Sequence, residues 1–146
     1  MDKLDVISFG SSTRDVFVLV DDKYFGKKLE FTPGSKVEIK KMGFYTGGGA
    51  TNTAVGFSRL GLHAGIVSVV GKDEGGLEIR KEAAKEKVDC SGLFVDRNAS
   101  TSYSVILTGF GRDRVILNYA GATALLDHSK KINWGKMNAD WFFVSS

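Results

Sequence analysis

The spacing of apolar positions changes several times along the chain, and each change marks an element. Leu4 to Phe9 (LDVISF) is a short apolar run stopping at Gly10, the pattern of a buried first strand. After the turn-like GSSTR, Asp15 to Val20 (DVFVLV) is β-branched and aromatic and leads into the charged loop DDKYFGKK. Lys36 to Phe44 alternates, with Val37 and Ile39 on one side and Lys36, Glu38 and Lys40 on the other, which predicts a half-exposed strand. From Ala50 the period lengthens. Ala50, Ala54, Phe57 and Gly61 fall at helical spacing, Val55 and Leu60 widen the stripe, and Gly61 stands where a C-terminal cap belongs.

Ala64 to Val70 (AGIVSVV) reads as another buried strand, ending at Gly71. Glu74 to Val88 predicts a second helix with Leu77, Ala84 and Val88 on one face and Glu78, Lys81, Glu82 and Lys85 as solvated charges. Thr101 to Leu107 (TSYSVIL) and Arg114 to Tyr119 (RVILNY) flank TGFGRD as a hairpin, and Trp141 to Val144 (WFFV) reads as a buried strand. The order is strand, two half-exposed strands, helix, strand, helix, strand, hairpin, strand. That alternation predicts an α/β sheet, with the half-exposed strands forming a smaller antiparallel sheet outside it. No internal repeat, low-complexity tract or interdomain linker interrupts it.

A chain of 146 residues has room for one domain with a real core. With 42% hydrophobic and 25% charged residues it has the balance of a globular protein rather than a disordered one. A formal net charge of +3 gives no concentrated basic face, so nucleic acid is not an expected partner. The single cysteine, Cys90, makes no internal disulfide, and a reducing cytoplasmic setting is expected. The N-terminus lacks the apolar run of a signal peptide, no stretch approaches the ~20 apolar residues of a membrane span, and no membrane partner is expected.

The segment GFYTGGGATNTAVGFSRLG, Gly43 to Gly61, carries the first candidate chemistry. A phosphate-binding loop of the Walker type needs lysine and then Ser/Thr after its last glycine, whereas Gly49 is followed by Ala-Thr-Asn. The dinucleotide fingerprint needs G-x-G-x-x-G directly after the first strand; here the third position is Asn52 and that strand ends far upstream. This also disfavours an oxidoreductase. Two readings remain: a tight strand-to-helix turn with Asn52 as a local cap, or a bare backbone and helix start, with Asn52, facing a neutral hydroxyl-rich ligand. Asp15 is similarly either an exposed turn residue or a carboxylate beyond the first strand that takes two sugar hydroxyls at once.

Arg14, Arg112, Arg114, Lys40 and Lys41 are either solvated strand faces and loop tips or a cluster that accepts a phosphorylated sugar. Cys90 reads as a packing residue, and neither His63 nor His128 has metal-ligand spacing, so no metal site is expected.

Several ordered blocks together are specific: DVISFGSSTRD at 5–15, GGGATNTAVGFSRLG at 47–61, VSVVGKDEGG at 67–76, and NYAGAT at 118–123. They resemble the N-terminal half of a ribokinase-like (PfkB family) carbohydrate kinase. The resemblance implies a partial three-layer α/β core with a small β-sheet lid built from about 15–44 and 101–119, the whole of 1–146 being the N-terminal part of one kinase domain. It implies ATP-dependent phosphorylation of a hydroxyl on a sugar, nucleoside or related alcohol, with ATP and Mg as the cofactors. Asp15, Gly47, Gly48 and Asn52 match the family positions that hold substrate hydroxyls, and Ser104 a lid-strand position that contacts substrate. Gly49 stands where the ribokinase subgroup has lysine, which argues against ribose itself.

In that family the catalytic aspartate lies in a GAGD-like motif of the C-terminal half, and most ATP and metal contacts come from there. The nearest string, AGAT at 120–123, lacks the acid and falls in the lid. The expectation is a chain with no catalytic residue of its own, silent alone, that supplies the substrate side. It would pair with a chain carrying the remainder, or form a homodimer through the lid sheet. A non-catalytic sugar-binding or assembly module, and a kinase for a nucleoside or phosphorylated sugar, are the other readings.

Overall fold

The computed structural model describes residues 3–25, 28–111, 113–126, 132 and 137–145. Strands β1 (Leu4–Phe9), β4 (Ala64–Gly71), β5 (Asp89–Asp96) and β8 (Ala139–Val144) form one sheet in the order β5-β4-β1-β8, all parallel. Helices α1 (Gly49–Arg59) and α2 (Glu74–Lys85) cover one face of it. There Ala50 and Ala54 of α1 and Ile79 and Ala83 of α2 pack on Ile66 and Val70 of β4 and Leu93 of β5. On the other face Ile7, Phe9 and Val67 are covered in part by Leu126, Ile132 and Met137. Each strand of such a sheet needs apolar residues on both faces, and β4 is buried throughout.

The remaining strands, β2 (Thr13–Val20), β3 (Ile39–Gly47), β6 (Ser102–Thr108) and β7 (Arg114–Tyr119), form a second sheet in the order β3-β2-β6-β7. Its two hairpin-like pairs, β2–β3 and β6–β7, are antiparallel, but the central pair β2–β6 is parallel. The second sheet is therefore mixed, not antiparallel as the half-exposed pattern suggests. Alternation within a strand reports which face is wet; it carries no information about the direction of a partner distant in sequence.

Other differences have equally local causes. The strand expected from Lys36 begins at Ile39 and runs through the first glycine of the loop, to Gly47. Of Leu77, Ala84 and Val88 only Val88 is buried, and it lies beyond the end of α2 at Lys85; Leu77 is 51% exposed, while Gly75, Gly76, Ile79 and Ala83 form the buried face. A β-carbon on Gly76 would run into the Gly71 carbonyl, so this edge of the helix packs through absent side chains. Leu60 does not widen the α1 stripe, being 79% exposed, although Gly61 does adopt the left-handed conformation (φ +90°) that ends the helix. Strand β8 lies where the WFFV run predicts a strand, but at the sheet edge. Its Trp141 and Val144 are largely exposed rather than buried.

The two sheets are joined by a compact hydrogen-bond cluster. Asp73 caps α2 by accepting the Gly76 amide (2.9 Å), and also accepts the Thr101 amide (2.8 Å) and hydroxyl (2.5 Å). The same Thr101 hydroxyl accepts the Gly71 amide at the end of β4 (2.9 Å). Partial loss of water around the Asp73 carboxylate disfavours its charge, but the hydrogen bonds from Thr101 and Gly76 outweigh it and hold the carboxyl below its ordinary range.

Removing this carboxylate as Asp73→Ala should lower the unfolding free energy at neutral pH by about 1–3 kcal/mol, combining a lost cap with orphaned donors. Because the folded-state pKa is depressed, the carboxylate's stabilisation is complete above the unfolded-state pKa and is lost as pH falls through the folded one. Urea denaturation of both proteins should show their stability difference narrowing in acid.

Candidate functional site

The turn between β1 and β2, Gly10 to Ser12, is short and polar because it docks on the start of α1. The Ser11 hydroxyl accepts the Gly49 amide (2.8 Å), its carbonyl accepts the Ala50 amide (3.0 Å), and the Ser12 hydroxyl accepts the Thr51 hydroxyl (2.9 Å). Gly48 is the N-cap at φ +93°, and a β-carbon there would collide with the Ser11 carbonyl. Two amides at the helix start are thus occupied by Ser11, where a phosphate would need them open. The glycines bring two chain segments together; they do not make an open cradle. Asn52 is not a cap either: its backbone amide makes an ordinary helical bond to the Gly48 carbonyl.

Just beyond this junction is a cavity of about 500 Å3 whose lining includes Thr13, Asp15, Gly48, Ser102, Ser104 and Asn118. Asp15 is a strand residue in β2 rather than a turn residue, and is half-buried. The Thr13 hydroxyl donates to Asp15 Oδ1 (2.8 Å), and the other oxygen lies so close to the Cα of Gly47 that any side chain there would displace it. Ser104 pairs with Asp15 in the parallel β2–β6 register, on the same face. The far wall is set by the segment after β7: the Ser102 hydroxyl donates to the Ala120 carbonyl, and Thr123 lies 2.8 Å from Ser102 Oγ and 3.4 Å from the Ser12 carbonyl.

The structure therefore brings Asp15, Gly47, Gly48 and Ser104 together. Asn52 is placed elsewhere. It lines a second cavity of about 440 Å3 between β3, α1 and α2, with Arg14, Arg59, Glu78, Glu82 and Glu86. Arg59 closes this cavity on Glu86 through bonds of 2.6 and 2.9 Å, which raise the arginine's pKa and lower the glutamate's.

The basic residues do not gather: Lys40 and Lys41 are on β3 and Arg114 on β7, at opposite edges of the sheet. Arg14 lies over the Phe44 ring, and Arg112 and His128 fall outside the described residues. Cys90 packs beside the α1/α2 core, and burial pushes its thiol pKa up. Among the described residues no three His, Cys, Asp or Glu side chains group to hold a metal, and no helix is long and apolar enough to cross a membrane. The donors present do not fit a magnesium–nucleotide complex.

Thr13, Ser102, Asn118 and Thr123 were not marked by sequence reasoning. Thr13 stands two residues from Asp15 on the same strand face, a spacing that could have pointed to it. Asn118 and Thr123 lie within NYAGAT, and only the tertiary pairing shows what they face.

The family model for pfkB family carbohydrate kinases matches residues 3–143. The chain belongs to the pfkB family of carbohydrate kinases. A nucleoside kinase of Methanothermobacter thermautotrophicus is 29% identical over 119 residues, 81% of this chain and 36% of that protein. The crystal structure of the Methanocaldococcus jannaschii nucleoside kinase, an archaeal member of the ribokinase family, superposes with a TM-score of 0.75 at 25% identity, over 97% of this chain and 44% of that one. Arabidopsis thaliana ribokinase, solved with ribose and ATP, gives a TM-score of 0.70 at 21% identity, over 82% of this chain and 37% of that one. The chain spans about a third of the length of the curated relatives it matches. The α/β core and second sheet are accordingly a pfkB arrangement, and kinases acting on sugars or nucleosides are its family.

The packing of Gly47 on Asp15 gives a direct check on this arrangement. Gly47→Ala should destabilise the fold by about 1–3 kcal/mol through overpacking. In an Asp15→Ala background the penalty should largely disappear, so a double-mutant cycle measured by thermal unfolding would be strongly non-additive.

Proposed function

We propose that the chain supplies the substrate-binding half and lid of an ATP-dependent kinase that phosphorylates a hydroxyl of a sugar or sugar-like alcohol. The observation that carries this reading is the Asp15 carboxylate. It is fixed by the Thr13 hydroxyl and the bare Gly47 backbone, and it lines a cavity with the Ser104 hydroxyl. An anchored carboxylate accepts two vicinal hydroxyls, and each charge-assisted bond is worth more than a neutral one. Gly47 and Gly48 permit the close backbone approach, and Ser104 adds a donor and acceptor. Asn52 would join them only if α1 and β3 rearranged around a ligand.

Phosphoryl transfer is mainly positioning and charge stabilisation. This sequence has no GAGD-like motif, and its helix start is capped by Ser11. In this reading the ATP and Mg contacts and the catalytic base belong to sequence outside these residues, the chain alone does not turn over ATP, and the setting is cytoplasmic. The segments 15–44 and 101–119 act as the lid.

A reading as an assembly module has its own support, from an apolar row across the lid. Phe44, Val16, Val105 and Leu117 pair in succession on one face, flanked by Met42 and Tyr119; Met42, Phe44, Leu117 and Tyr119 are more than half exposed. Such a face suits a homodimer through the lid sheet.

Calorimetric titration with pentoses and hexoses should detect sugar binding, and Asp15→Ala should weaken it at least about tenfold. Mixing chain, sugar and ATP should yield no ADP. Binding that survives Asp15→Ala would overturn the site, and turnover by the purified chain would overturn its silence.

A further inference from the structure

The second cavity opens on the side of the sheet away from Asp15. Arg14 and Asp15 are consecutive in β2, so their side chains leave opposite faces. Thr46 pairs with Arg14, and Phe44 with Val16, which puts both on the Arg14 face. Helices α1 and α2 enclose the rest. At about 440 Å3 the cavity falls within the roughly 300–1,000 Å3 of small-molecule pockets.

Its two walls carry opposite charge. On the sheet side the Arg14 guanidinium lies over the Phe44 ring, 5.8 Å from its centre, with Thr46 beside it. Asn52 adds its carboxamide from the first turn of α1. Among the described residues the side chains of Arg14, Thr46 and Asn52 have no hydrogen-bond or ion-pair partner, so their donors are free to meet a ligand. On the helix side Glu78 and Glu82 of α2 stand one turn apart. Their lysine partners, Lys81 at 2.8 Å and Lys85 at 3.9 Å, are exposed, and such surface pairs hold a carboxylate only weakly.

Arg14 and Glu78 are not in contact, yet they sense each other. The Lys81 hydrogen bond and charge hold the Glu78 carboxyl below its ordinary range, and the charge of Arg14 adds to this, against partial loss of water. A cation and an anion facing across a gap suit a ligand that carries both charges in the reverse order. With two charge-assisted contacts of about 2.8 Å each, it spans more than a direct ion pair can. A phosphate would face two carboxylates, and a simple amine would face Arg14, so neither matches both walls. Between the walls Val55 and Gly56 of α1 make an apolar floor, and a β-carbon on Gly56 would meet nothing within 4 Å.

We infer that this cavity binds a free α-amino acid with an apolar side chain, its carboxylate on Arg14, Thr46 and Asn52 and its ammonium on Glu78 and Glu82. The assignment makes no use of Asp15 and stands or falls apart from the sugar reading.

The test titrates L-leucine calorimetrically into the chain, with isocaproate and isoamylamine as analogues that each keep one of its charges. L-leucine should bind saturably at millimolar concentration, and each analogue at least about tenfold more weakly, the value of one charge-assisted contact. Arg14→Leu should remove the advantage of L-leucine over isoamylamine. Glu78→Gln combined with Glu82→Gln should remove its advantage over isocaproate. A loss of packing would instead weaken all three ligands together, and that pattern counts against the assignment. Asn52→Ala, at an exposed position, should weaken L-leucine and isocaproate by roughly threefold and spare isoamylamine, which keeps the test open if Arg14→Leu does not fold. No saturable heat with L-leucine, equal affinity for the three ligands, or L-leucine binding untouched by Arg14→Leu and Asn52→Ala overturns it.

Discussion

Thr101 is gripped from two sides: its hydroxyl takes the amide that ends β4 and gives its proton to the carboxylate that starts α2. Its own amide goes to the other oxygen of that carboxylate. Because Thr101 immediately precedes β6, this cluster determines where β6 departs from the core. Strand β6 then lies parallel to β2, and only in that register do Ser102 and Ser104 stand beside Thr13 and Asp15. A slip by one residue would turn Tyr103 and Val105 into the cavity and carry the serines to the opposite face. The polarity of the site thus depends on three residues, Gly71, Asp73 and Thr101, none of which lines it.

A similar indirectness governs the glycine loop. Three consecutive glycines ahead of a helix suggest an anion site, yet Ser11 from another segment fills the amides. What the glycines supply is room: for the Ser11 carbonyl against Gly48, and for the Asp15 carboxylate against Gly47. The loop is a place where β1, β2, β3 and α1 converge within touching distance. The Asp15 carboxylate can be held half-buried because a neighbouring backbone yields space to it.

Much of the fold was legible locally. Leu4–Phe9 and Arg114–Tyr119 coincide with β1 and β7, and Ala64–Val70 with all but the last residue of β4, because continuous or alternating apolar runs between glycines and polar loops leave few options. Strand β5 had no clear bounds, since it carries charged residues at both ends and fully buries only Leu93. The inner edge of α2 was illegible because glycines, not apolar side chains, make its closest contacts. For the site, Asp15, Gly47, Gly48 and Ser104 were named from sequence and converge in space. Asn118 was not, because its relation to Asp15 passes through two strand pairings, one of them between segments far apart in the chain.

That last pairing bears on how the molecule comes to be folded. Strands β2 and β6 are separated in sequence by β3, α1, β4, α2 and β5, so their union closes a very long loop. Such closure becomes favourable only after the intervening β4–α2–β5 unit, whose contacts are local, has already ordered. The Asp15 cavity is consequently completed by a long-range pairing, second in sequence separation to that of β1 with β8. Until then the apolar faces of β2 and β6 stand open, and on the nascent chain they remain so until synthesis has passed Thr108.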